Sequence, residues 1–195
     1  MTLITPFYVR ITHWINALAV PIMIMSGLKI YNASPIFDFK FPSSVTIGGW
    51  LGGALLWHFA AMWLLLANGL IYLGLNLTTK RAFNKFFPIT FSGFIRDLSD
   101  TLRGKLSHDD LSIYNTIQKI AYLSVIIDLI LIVISGLVIW KSVQFPILRE
   151  LLGGYDNARI VHFFCMAYAV FFLAIHLIMV ALVPKTILVM IRGRA

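Results

Sequence analysis

The chain has 195 residues, of which 59% are hydrophobic and only 12% charged, and its mean hydropathy is +0.87. A soluble domain of this size cannot hide that much apolar side chain behind so few charges, so an ordinary soluble enzyme is excluded and lipid is the main solvent. The formal charge of +8 is read as membrane topology rather than nucleic-acid binding. A single cysteine, Cys165, and the absence of CxxC and CxxCH exclude internal disulfides, thiolate zinc sites and covalently attached c-type haem.

Four apolar stretches reach the roughly 20 residues that a helix needs to cross about 30 Å of hydrocarbon. They predict spans at about 11–30, 50–75, 117–140 and 160–183. The fold expected is an all-α integral membrane four-helix bundle forming one domain over 1–195. Arg10 before the first stretch resembles a signal-peptide n-region, but no A-x-A site follows and the run is long enough to span. Pro21 inside it is tolerated in lipid when neighbours satisfy the freed carbonyl, and predicts a kink. Gly48, Gly49, Gly52 and Gly53 at the start of the second span permit close packing or a loose entry. In the long connection that follows, Phe91, Phe94, Ile95, Leu98 and Leu102 fall on one helical face and Arg96, Asp97, Asp100 and Arg103 on the other. This pattern predicts an interfacial helix at about 91–103. Ser107 and Asp110 then have the spacing of a capping box for a helix running on into the third span. His108, Asp109 and Asp110 carry metal donors, yet exposed cap chemistry accounts for them equally well. Read along its length, the chain shows no internal repeat or low-complexity tract.

Of the sixteen basic residues, eleven fall beside the two termini and the middle connection and five on the other side. The positive-inside rule therefore places both termini in the cytoplasm, with the chain in a bacterial inner membrane.

The histidines His13, His58, His162 and His176 lie in or at the ends of spans, where ionisable side chains are costly and mark functional candidates. His162 and His176 are within about 40° of one helical face and about 21 Å apart along the axis. With the termini inside, His13 shares the cytoplasmic depth of His176, and His58 shares the outer depth of His162. Two imidazoles without thiolate or carboxylate neighbours make a poor cage for a bare metal, whereas haem iron brings four nitrogens and needs two axial ones. Ser26-Gly27 and Ser135-Gly136 offer flat patches for a macrocycle or, equally, helix-packing surfaces. Arg10 and Arg159 each precede a histidine by three residues, so each either meets a haem propionate or snorkels to the interface. Trp14, Trp57 and Trp140 divide between the membrane's aromatic belt and haem packing.

Taken together, Arg10-Ile-Thr-His13-Trp14 leading to Ser26-Gly27-Leu28, His58 on the second span, and Arg159-Ile-Val-His162 followed by His176 resemble the di-haem cytochrome b subunits of the prokaryotic cytochrome b561-like family. That family includes membrane subunits of nickel–iron hydrogenases, formate dehydrogenases and thiosulfate-reductase-type molybdoenzymes. The resemblance covers essentially the whole chain and implies two non-covalent b-type haems. His58 and His162 would ligate the outer haem, and His13 and His176 the cytoplasmic one. It further implies electron transfer between the quinone pool and a catalytic oxidoreductase partner of molybdoenzyme or hydrogenase type, on the periplasmic side. The alternative is a stand-alone di-haem cytochrome that oxidises a small reductant and reduces quinone. No catalytic residue is assigned and no nucleic-acid partner is expected.

Asp128, mid-way along the third span, and Asn16, one turn after His13, are candidate quinone-binding residues, although each also reads as an internal structural partner. The resemblance sets the quinone site near the cytoplasmic haem, where Arg10 and the interfacial helix also lie. Cys165 reads as a small buried hydrophobe.

Overall fold

The structure, a computed structural model, describes residues 4–103 and 113–194, apart from the side chains of Thr101 and Leu102. Ser107 to Asp110, and with them His108 and the expected capping box, lie outside the described residues. All regular structure among those described is helical: α1 (Phe7–Ala33), a 3₁₀ turn (Ser43–Val45), α2 (Leu51–Thr78), α3 (Arg81–Phe86), α4 (Phe91–Leu102), α5 (Thr116–Trp140), α6 (Pro146–Leu151), α7 (Tyr155–Leu182) and α8 (Lys185–Arg192). Helices α1, α2, α5 and α7 are long and apolar enough to cross a membrane. They overrun most of the expected spans by a few residues, because a helix continues through the headgroup region once its apolar core has set its course. The protein is thus an all-α, multi-pass membrane protein. Helix α1 passes through Pro21 without interruption.

The spans form two hairpins, α1 against α2 and α5 against α7, which pack closely within themselves and touch little of one another. Their contacts use small side chains: Ala19, Ala54, Ala158, Ser26 and Ser135 have no exposed surface. In lipid this is what brings helices together, since apolar bulk gains nothing by leaving one hydrocarbon for another. Leu56, Leu70, Phe171 and Leu182 accordingly point outward.

Two expectations about the connection between the hairpins are corrected. Helix α5 does not run on from the Asp109-Asp110 region, because residues 113–115 are not helical. It starts after Asn115, whose side chain accepts the Gln118 N–H at 2.7 Å while the Gln118 side chain accepts the Asn115 N–H at 3.1 Å. Asp97, expected on the solvent face of α4, is buried, and its Oδ2 accepts the Thr116 N–H at 2.6 Å. Gly93, one turn earlier, permits this approach, since a Cβ there would lie 2.7 Å from Thr116 Oγ1. Burial alone would raise the Asp97 pKa, but the hydrogen bond from Thr116 and the Arg96 guanidinium, 3.5 Å away, hold it below the ordinary carboxylate value. Phe91, Ile95 and Leu98 remain outward, giving α4 the apolar face that a membrane surface accepts.

Chain ends meet at one end of the bundle. Gly193, in the left-handed region that closes a helix (φ 78°), offers its carbonyl to the N–H groups of Ile4 (2.9 Å) and Thr5 (3.3 Å). This is called the terminal end below, and the opposite one the far end.

Candidate haem-binding site

At the far end, the His58 ring of α2 faces the His162 ring of α7 with centroids 6.4 Å apart. Each ring is oriented by the other helix of its own hairpin. Ser26 Oγ donates to the Ile22 carbonyl at 2.6 Å and stands 3.0 Å from His58 Nδ1. Ser135 Oγ likewise donates to the Leu131 carbonyl at 2.7 Å and stands 3.0 Å from His162 Nδ1. Since each hydroxyl proton is already committed, each Nδ1 is the donor. The Ile132 carbonyl, 3.2 Å from His162 Nδ1, can only accept and agrees with that assignment. The Met23 carbonyl takes the same place beside His58. Both histidines are therefore held as the tautomer with a free Nε2 lone pair, the arrangement typical of a metal-ligating imidazole. Gly27 and Gly136 stand beside the rings: an added Cβ would meet His58 Cε1 at an ordinary 3.5 Å but crowd His162 Cε1 at 3.3 Å. The Ser-Gly pairs are thus seats for the histidine rings.

At the terminal end, His13 of α1 faces His176 of α7 with centroids 6.0 Å apart. Neither imidazole makes a hydrogen bond among the described residues. Phe172 stacks on His176 at 6.0 Å and 8°, and Trp14 meets His13 edge-on at 5.4 Å.

The spacing tests what could sit between the rings. A His nitrogen binds a first-row metal at about 2.0–2.1 Å and lies about 1.1 Å from its ring centre, so two imidazoles sharing one ion have centres about 6.2–6.4 Å apart. Both pairs are close to that value. Among the described residues no three His, Cys, Asp or Glu side chains converge, so each ion would need its remaining ligands from elsewhere, as a porphyrin provides. In ligand chemistry and spacing, the residues fit haem at both ends.

Arg159 Nη2 donates to the Ser34 carbonyl at 2.5 Å, fastening the end of α1 to α7. Arg10 Nη1 donates to the Ile191 carbonyl at 2.6 Å and Trp14 Nε1 to the Met190 carbonyl at 3.2 Å, so the residues flanking His13 hold the end of α8. Among the described residues Arg10 Nε is buried with no hydrogen-bond partner, a donor suited to a carboxylate such as a haem propionate. The two quinone candidates are not brought together. Asn16 Oδ1 accepts from Asn68 Nδ2 at 2.6 Å, and the same nitrogen donates to the Thr12 carbonyl at 2.7 Å, in a clamp between α1 and α2. Asp128 lies in the other hairpin, where its carboxyl faces the Cys165 thiol. Cys165 is thus buried as expected, but it has a polar contact. The Ser26 and Ser135 seats are the site residues that sequence reading did not assign as such; a Ser-Gly-Leu occurring twice on alternate spans is the signal that marks them.

Comparison with known proteins identifies the family. The "Prokaryotic cytochrome b561" family profile matches residues 4–193. A protein from Azospira oryzae, "Putative protein-methionine-sulfoxide reductase subunit YedZ1", is 60% identical over 190 residues, covering 97% of this chain and 96% of the relative. With four apolar spans, two facing histidine pairs and a match over nearly its whole length, the chain belongs to the prokaryotic cytochrome b561 family of b-type, electron-transferring membrane cytochromes.

Proposed function

We propose that this protein is the membrane subunit of an oxidoreductase complex, carrying electrons across the bilayer between quinol and a catalytic partner through two b-type haems. The carrying observation is the pair of facing imidazoles at each end of the bundle, His58/His162 and His13/His176, at the separation one shared iron requires. Each haem, when bound, would supply a one-electron iron couple, and the two imidazoles that would hold each iron suit electron transfer rather than oxygen chemistry.

The protein's own part is to hold geometry and exclude water. Ser26 and Ser135 fix the ring planes of His58 and His162 and keep their protons at Nδ1. The far-end pair takes one ligand from each hairpin, so it also joins the two halves of the bundle. At the terminal end Arg10 stands ready for a propionate, while Phe172 and Trp14 wall the His13/His176 pair. The basic bias supports termini in the cytoplasm and, with them, a far-end pair near the periplasmic face of the inner membrane. The Azospira relative is named as a subunit of a methionine-sulfoxide reductase. By that likeness the partner here is a periplasmic reductase, electrons flow outward, and quinol is the donor.

The test is the haem-to-protein ratio and the dithionite-reduced spectrum of the purified protein. Two haems per chain are expected, with one lost in His58→Ala or His162→Ala and the other in His13→Ala or His176→Ala. A ratio of zero would refute the reading. Purification from native membranes then tests the partner: a lone small cytochrome that is reduced directly by a small reductant would reject the subunit role.

A further inference from the structure

A cavity of about 580 Å³ opens on the surface at the terminal end, between the α1–α2 hairpin with its following α3 and the start of α5. Tyr8, Thr79, Arg81 and Lys85 line it from the first side, Tyr114 and Lys119 from the second. Three of these carry positive charge, and among the described residues no aspartate or glutamate lines the cavity. Arg81 and Lys85 stand four apart on α3, the spacing at which like charges on a helix repel. Lys119 adds a third charge from across the cavity, so the unoccupied arrangement stores repulsion that an anion would relieve.

Each group keeps donors to offer. Arg81 follows Lys80, whose left-handed backbone (φ 55°) turns the chain from α2 into α3. Its guanidinium is half-buried and makes no hydrogen bond or ion pair among the described residues. Lys119 Nζ donates one proton to the Pro88 carbonyl at 3.2 Å and has two more. Lys85 Nζ stands 5.3 Å from the centre of the Tyr114 ring, a cation–π contact that holds the charge beside α5. Burial raises the Tyr114 phenol above its ordinary pKa, against the pull of the Arg81 charge, so it stays a neutral donor. The Tyr8 hydroxyl has a long contact of 3.5 Å to Thr79 Oγ1, whose own proton goes to the Leu75 carbonyl at 2.6 Å. A guanidinium fork, ammonium groups and hydroxyl donors around one space are the chemistry that holds a phosphate.

We propose that this cavity binds the phosphate of an anionic phospholipid and that the bound head group ties α3 to α5. The chemistry recognised is a phosphate anion; position and surroundings select the form carried by a lipid. The cavity lies where α2 ends and α5 begins, the level at which a span passes from hydrocarbon to head groups. Leu77 at the end of α2, Ile120 at the start of α5, and the stacked Phe83 and Phe87 are exposed, so acyl chains have apolar surface to follow. A soluble phosphate makes no use of such surface. The open mouth also suits a lipid, whose chains must leave the site toward the bilayer. With Arg81 on one side and Lys119 on the other, one anion offsets the repulsion and bridges two elements that pack lightly. The site takes no part in haem binding or quinol exchange, so it stands or falls apart from the function proposed above.

The test uses the purified full chain in a neutral maltoside detergent, read by native mass spectrometry and thermal unfolding. The probes are dioleoylphosphatidylglycerol, dioleoylphosphatidylcholine and inorganic phosphate. Wild type should bind one phosphatidylglycerol and be stabilised by it, and should respond little to the other two. Arg81→Gln/Lys119→Gln should weaken phosphatidylglycerol binding by about 25-fold, about fivefold for each cation removed, with helical circular dichroism unchanged. Lys40→Gln/Arg149→Gln removes the same charge at the far end and should bind as wild type does. If the double variant does not fold, Arg81→Gln and Lys119→Gln are read singly, each expected to lose about fivefold, and Arg81→Lys should restore binding. Equal stabilisation by phosphatidylcholine, unchanged affinity in the cavity variants, or an equal loss in the far-end control would overturn the site. Displacement of phosphatidylglycerol by inorganic phosphate would overturn the lipid assignment in favour of a soluble phosphate.

Discussion

The two histidine pairs are spaced alike but built differently. His58 and His162 are each set by a serine on the neighbouring helix, with a glycine beside each ring. His13 and His176 have aromatic neighbours and no hydrogen bond among the described residues. Each pair takes one ligand from each hairpin, the first from α2 and α7 and the second from α1 and α7. The difference shows that ring separation alone specifies a metal-sized gap, and that orientation is supplied separately, by polar seats at one end and by packed rings at the other.

The sharpest way to break the comparison is to remove a ligand. His162→Ala should abolish haem at the far end and leave the terminal-end haem in place, and His176→Ala should do the reverse; pyridine haemochrome analysis of each variant decides whether the pairs act separately. Removing a seat should have a smaller effect. Ser26→Ala or Ser135→Ala is expected to weaken far-end haem retention by about tenfold, in the range typical for loss of an outer-shell hydrogen bond to a metal-ligating His. Redox titration should show one of the two potentials moving; movement of both would mean that the seats are not local.

Asp97 tests a part of the terminal end outside the spans. Its folded pKa lies below the ordinary value of 3.8, so its stabilisation is complete above about pH 4 and is lost as pH falls through the lower, folded value. Asp97→Asn should cost about 1–2 kcal/mol of stability near neutral pH by weakening the charge-assisted bond to Thr116. Thermal unfolding of the variant should lose the wild type's acid-side decline, while far-end haem content stays constant. The smallest expected effect distinguishes the two glycines. Gly136→Ala brings a Cβ to 3.3 Å from its histidine ring against 3.5 Å for Gly27→Ala, so only the former should disturb the far-end spectrum, with a stability cost below about 1 kcal/mol.

Spans and candidate ligands were legible because each has a strong local signal. Twenty apolar residues announce a crossing, and a histidine at a given depth can face only a histidine at a similar depth. The Ser-Gly seats were visible as residues but not as seats, since the same pair serves plain helix packing. Asp97 shared a helical face with exposed Arg96, and only the position of Thr116, 19 residues later, shows that it points inward. The role of Arg10 depends on a carbonyl 181 residues away, beyond what any local pattern encodes. The likeness of the two seats stayed hidden because the connections differ in length: serine and histidine are 32 residues apart in one hairpin and 27 in the other.

The clasp between the chain ends gives the terminal-end pair a remote handle. Arg10 and Trp14, on either side of His13, both grip the last turn of α8. A protease cut in the bend at Val183-Pro184 would leave every proposed ligand in the chain yet release that grip. Limited digestion should therefore alter the signal from His13 and His176 before it reaches that from His58 and His162.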